Sequence, residues 1–98
     1  MDLKVKPIVI LTGKGSVDYI LTGNEFYNNN SFPLAIEIYN MAIKSDDVDP
    51  TVYFNLGCTH MALGLFSEAV TNFSKYLEHN KYDKEAIEQL EIAKLFLK

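Results

Sequence analysis

Shifted by 34 residues, this chain meets itself. Tyr19 falls on Tyr53, Gly23 on Gly57, Phe32 on Phe66, Ala35 on Ala69 and Asp49 on Asp83. Chemically matched pairs lie between these identities: Ile20 with Phe54, Ile36 with Val70, Tyr39 with Phe73 and Ile43 with Leu77. No gap is needed to hold the register. A fixed period of this length marks a repeat architecture, in which each unit buries its apolar face only by stacking on the next.

Each unit reads as two helices. In residues 50–63, Val52, Tyr53, Leu56, His60 and Leu63 recur at three- and four-residue steps, the helical period. Asp49 supplies an N-cap and Pro50 sits in the first turn. Gly64 can take the left-handed conformation that ends a helix. A second helix over 66–79 places Phe66, Ala69, Val70, Phe73 and Leu77 on one face. In the first unit Asn28, Asn29 and Asn30 replace the glycine break, and Ser31 then caps the next helix. A fifth helix over about 84–97, opened by Asp83, turns Ala86, Ile87, Leu90, Ala93 and Leu97 inward. The small residues imply close approach of helices, with Gly23 facing Ala35 and Gly57 facing Ala69.

Composition narrows the function classes. A chain of 98 residues with 48% apolar content builds one modest domain. Every basic residue is Lys, and without Arg forks a nucleic-acid partner is not expected. Cys58 is the sole cysteine, which fits a reducing compartment, and the cytoplasm is the simplest location. The apolar run Pro7 to Leu11 is too short to span a bilayer or form a signal-peptide core, so no membrane role is expected. Cys58, His60 and His79 lack metal-ligand spacing, and no nucleophile–base arrangement can be read. Gly13-Lys14-Gly15-Ser16 lacks the upstream glycine of a phosphate loop. The reading is therefore a non-enzyme without cofactor or metal.

The repeat resembles the tetratricopeptide family, whose period is the same. The residues that carry the resemblance are Tyr19, Thr22, Gly23, Phe26, Ala35, Tyr39 and Ala42 in unit one. In unit two they are Tyr53, Leu56, Gly57, His60, Ala69 and Phe73. Tyr76 departs from the family's second small Ala, and Asp47 and Lys81 stand where the terminal Pro is usual. The resemblance implies an all-α fold of antiparallel helix-turn-helix repeats in a short right-handed superhelix. Repeat one would span 16–49, repeat two 50–83 and a capping helix 84–98, after an N-terminal arm at 1–15 that is extended or flexible. Tyr76 would close the array against the fifth helix.

Family members bind a peptide along the concave face lined by the first helix of each pair. Carried onto this sequence, the candidate groove residues are Ile20, Asn24, Tyr27, Phe54, Asn55, Cys58, Met61 and Gln89. Ile20, Tyr27, Phe54 and Met61 would take apolar anchors, while Asn24 and Asn55 would bond an extended backbone. One subclass grips the acidic EEVD tail of heat-shock chaperones through a clamp of lysines and asparagines. Here both Asn are present, but the clamp's cation positions hold Ile20, Glu85 and Gln89. Charge attraction drives such a clamp, so that tail is excluded as a partner.

The expected function is a protein–protein interaction module, adaptor or co-chaperone-like, holding an apolar, extended peptide segment. The alternative is a structural subunit that forms a homo-oligomer through its N-terminal arm or terminal helix. In that arm, Lys4 to Leu11 is rich in β-branched residues and contains Pro7, so it reads as extended rather than helical.

Overall fold

The computed structural model describes residues 15–98. The extended arm read from the sequence falls on residues outside that range. The described chain forms α1 (Ser16–Asn28), α2 (Phe32–Ile43), α3 (Thr51–Ala62), α4 (Phe66–His79) and α5 (Lys84–Leu95). These build an all-α helical-repeat fold of antiparallel pairs, each helix packed on the next and α1 also meeting α3. No strand occurs among the described residues.

The period is repeated in the turns. Asn30 and Gly64, one period apart, both have positive φ, 62° and 74°. Past each, a backbone N–H reaches back to the preceding helix: Ser31 to Phe26 O and Leu65 to His60 O, both at 2.8 Å. This is the left-handed helix ending that Gly and Asn tolerate best. Ser31 stands at the start of α2, but its side chain makes no capping bond; its carbonyl accepts from Ala35 N–H instead. Of the two expected Asp caps, Asp83 caps α5, whereas Pro50 takes the cap position of α3 with no side-chain cap bond and Asp49 stands one residue outside it. Asp49 Oδ1 accepts from Thr51 N–H at 3.0 Å, and Asp83 Oδ1 from Ala86 N–H at 3.1 Å.

Where the family's terminal Pro would stand, Asp47 performs a different task. Its Oδ1 accepts from the Ser16 N–H at 3.1 Å, while the buried Ser16 hydroxyl donates to the Asp47 carbonyl at 2.8 Å. Asp49 N–H closes the set on Ser16 Oγ. The loop after α2 is thereby tied to the first turn of α1. Gly15 must lie at φ 115° to permit this, and a Cβ there would stand 2.6 Å from Asp47 Oδ2.

Ile20, Ala35, Tyr39, Ala42, Val52 and Leu56 form one core, which joins α1 and α2 to α3. Ala69, Phe73 and Ala93 form a second, with Phe54, Cys58, Met61, Val70 and Leu90 packed against it. Ala35 and Ala69 are fully buried, but they are not what the glycines meet most closely. A Cβ on Gly23 would stand 2.5 Å from the Tyr39 ring, and one on Gly57 would stand 2.6 Å from the Phe73 ring. The small residue opposes an aromatic rather than another small residue: the ring from the second helix takes the space that a side chain on the first would fill.

On α5 only Ala86, Leu90 and Ala93 turn inward; Ile87 and Leu97 are exposed. The helix stops at Leu95, so Leu97 leaves the expected face. Leu63 is also exposed. Tyr76 reaches the base of α5 through its hydroxyl, which donates to Asp83 Oδ2 at 2.7 Å. No helix among the described residues is long and apolar enough to cross a membrane.

Candidate functional site

Between α1 and α3 opens a cavity of about 310 Å³, with Tyr39 of α2 behind it. Asn24, Tyr27 and Asn28 line it from α1, and Phe54, Asn55 and Cys58 from α3. A second opening, of about 270 Å³, is lined by Val17, Ile20, Leu21, Asn24, Asp49, Thr51 and Asn55. Asn24 and Asn55 border both, so the two openings trace one groove along α1. Helical register explains this line. Val17, Leu21, Asn24 and Asn28 recur at steps of four, three and four, and so share a face.

The two asparagines bond each other first. Asn24 Oδ1 accepts from Asn55 Nδ2 at 3.0 Å and from the Tyr39 hydroxyl at 2.5 Å. A carbonyl oxygen has two acceptor sites, and here both are filled. The Asn24 Nδ2 donor and the Asn55 Oδ1 acceptor have no hydrogen-bond partner among the described residues. Neither is a fully buried atom without a partner, and both residues line the two openings. Among the described residues the pair thus leaves one amide donor and one amide acceptor uncommitted at the border of the two openings.

The aromatic wall is equally determined. Phe54 meets Phe73 edge-on at 5.6 Å between centroids and Tyr76 at 5.3 Å. Tyr27 meets Phe32 edge-on at 5.3 Å. Such contacts fix ring planes and leave little freedom to collapse into the cavity.

At neutral pH the described residues that line the larger cavity are uncharged. Burial pushes the Cys58 thiol up to about 11, with the nearby Glu85 carboxylate adding to the effect. Burial also raises Tyr27 and Tyr39. A protonated thiol is a poor nucleophile and a poor metal ligand. His60 does not assist it. Two residues on along α3, it is turned about 200° away. It lies buried with Nδ1 3.2 Å from Asn72 Nδ2, and burial lowers its pKa. No group of three His, Cys, Asp or Glu among the described residues is placed to hold a metal ion.

The candidate residues thus divide. Asn24, Tyr27, Phe54, Asn55 and Cys58 converge on the larger cavity. Ile20 is 7% exposed, belongs to the first core and shows only an edge to the smaller opening. Met61 packs against the second core. Gln89 is half-buried on α5 and lines neither opening. Tyr39 is the lining residue that the repeat pattern assigned to the core alone. Its sequence signal is the hydroxyl: Phe73 stands one period later, so the oxygen at Tyr39 must meet a partner that repeat two does not supply.

No protein-family model matches the chain, and no curated protein matches it.

Proposed function

We propose that this chain is a protein-interaction module of the tetratricopeptide type, holding an extended, apolar peptide segment of a partner between α1 and α3. The observation that carries the reading is a donor and an acceptor, Asn24 Nδ2 and Asn55 Oδ1, that no described residue fills, on residues lining a groove with Phe54 and Tyr27. An extended peptide presents N–H and C=O groups along its edge and side chains on alternate faces, so amides bond its backbone while rings take its apolar groups. The described lining carries no cation, Asp49 lines the smaller opening and Glu85 lies near Cys58, so an acidic tail finds no anchor among these residues. Adaptor or co-chaperone-like work in a reducing compartment accords with one protonated cysteine.

Peptide display against the full chain tests this. The selected sequences should be apolar and free of Asp and Glu, and an EEVD-type peptide should not be retained. Asn55→Ala should weaken the best binder about tenfold, the scale of one hydrogen bond lost with its partner left unpaired. Failure to select any peptide, or binders indifferent to both Asn55→Ala and Phe54→Ala, overturns the reading.

A second reading, self-association, is favoured by one feature. At the end of α5 the Phe96 ring stacks on Phe66 at 4.5 Å yet remains 61% exposed, with Leu65, Leu95 and Leu97 exposed beside it. Light scattering distinguishes the two readings. A stable oligomer dispersed by Leu95→Glu supports a structural subunit, and a monomer at all concentrations removes it.

A further inference from the structure

We propose that the groove between α1 and α3 takes a basic-flanked partner segment, an apolar extended stretch with a Lys or Arg at each end, met by Asp49 on one side and Glu85 on the other. The proposal rests on reading that groove as a peptide site and names the class of peptide.

The placement of the two acids carries it. Asp49 lines the smaller opening together with Val17 and Thr51. Val17, Thr51 and Glu85 stand one period apart, in the first turns of α1, α3 and α5. Register therefore continues the stripe of Val17 and Thr51 onto α5 at Glu85. Cys58, which lines the larger cavity, packs in one cluster with Leu90 and Ala93 of α5. Glu85 is close enough to act on that thiol, adding to the effect of burial.

Charge selects the occupant. Residues 15–98 carry six Lys against twelve Asp and Glu. Among the described residues no Lys lines either opening, and Lys75 lies over the Tyr53 ring instead. Both acids stand at the start of a helix, where the dipole supplies about half a positive charge. A full carboxylate charge exceeds that, so each position still attracts a cation. Asp49 Oδ1 already accepts from Thr51 N–H at 3.0 Å. A carboxylate has about four acceptor sites, so it can hold this bond and a basic side chain together.

Reach sets the spacing. From Thr51 to Cys58 the helix rises about 10 Å. Extended chain covers about 3.3 Å per residue, so three steps span that distance. The two cations should therefore lie about three or four residues apart. Between them the peptide meets Phe54, Tyr27 and the two asparagines, and the methylene stems of Lys or Arg can lie along the rings while their heads reach the acids.

Peptide display on the full chain should enrich Lys or Arg at two positions with that spacing and apolar residues between. Asp49→Asn and Glu85→Gln should each weaken the best binder about two- to fivefold, the scale of one exposed ion pair. Asn keeps the acceptor for Thr51, and Glu85 is exposed, so neither change disturbs the fold. Raising salt from about 0.05 M to about 0.5 M should weaken the same binder, and the doubly neutralised chain should respond less. Glu85→Lys should reject that binder and recover affinity for its version with one Lys replaced by Glu, a rescue that general damage to the fold does not give. Selected peptides with no basic enrichment, or affinities unmoved by both neutral variants and by salt, overturn the proposal and leave the groove reading standing. Failure to select any peptide overturns both.

Discussion

Asn24 and Cys58 occupy the same place in the two helix pairs, one period apart, and so do Tyr39 and Phe73. In the first pair the ring carries a hydroxyl and the facing residue accepts it: Tyr39 donates to Asn24 Oδ1. In the second pair both partners are apolar, and Phe73 and Cys58 share one cluster. The frame is the same in both, a glycine with a ring lying on it. The chemistry of the seam differs at two linked positions. Asn55, standing where the first repeat has Leu21, then joins the first pair's polar seam from across the groove. A repeat can thus keep its packing and still make one unit polar, provided the substitutions arrive as partners.

The largest expected effect tests the shared frame. Gly23→Ala and Gly57→Ala each place a methyl 2.5–2.6 Å from a buried ring. Tyr39 and Phe73 are at most 1% exposed and have no room to yield. Overpacking of this kind costs about 1–3 kcal/mol. That outweighs the roughly 0.5–1 kcal/mol that Ala gains over Gly in a helix. Urea denaturation should show similar losses for both variants. A loss at one glycine alone would break the claim that the two pairs share one packing device.

The seam is tested next, by exchanging its chemistry. Phe73→Tyr puts a hydroxyl against Cys58, a weak acceptor, and should cost about 1–3 kcal/mol for a buried group left unpaired. Adding Cys58→Asn should recover part of that loss, with a coupling of about 0.5–3 kcal/mol in a double-mutant cycle. Additive effects would show that the Tyr39–Asn24 pairing is incidental to the first repeat. The converse change is gentler. Tyr39→Phe removes one hydrogen bond but leaves Asn24 Oδ1 bonded to Asn55, so the loss should be about 0.5–1.5 kcal/mol.

These seams also mark what was legible in the sequence. The helices, their turns at Asn30 and Gly64 and the cap at Asp83 follow from local chemistry repeated at a fixed spacing; α5 ends two residues early, and Pro50 rather than Asp49 takes the cap position of α3. Register also says which face of α1 and α3 a residue occupies, which is why Asn24, Asn55 and Phe54 meet. It does not say how deep on that face a side chain goes. Ile20 and Met61 share the groove stripe, yet they pack into the two cores because a neighbouring helix covers them. Depth depends on how closely α1, α2 and α3 approach, which no local pattern records. The bond between Asn24 and Asn55 joins residues 31 apart on different helices, and the Ser31 side chain makes no capping bond although its type favours one.

The smallest effect concerns Phe26 and His60, equivalent aromatics of the two pairs. Phe26 has no titration; His60 is buried against Asn72, and burial is the main cause that lowers its pKa, with Glu68 acting in the opposite direction. The unfolded chain binds this proton near pH 6.5 and the folded chain only at lower pH. Between those two values the unfolded state holds more protons, so stability falls as pH drops. Above pH 6.5 the contribution is complete, and below the folded pKa the loss levels off. Asp83, held below the usual carboxylate range chiefly by the Tyr76 hydroxyl, acts only in a more acidic window. Thermal melts from pH 8 to pH 5 should therefore show a modest decline in Tm for the native chain. His60→Phe, which makes the second pair resemble the first, should flatten it. An unchanged slope in that variant would mean the two repeats do not differ in their response to acid at this position.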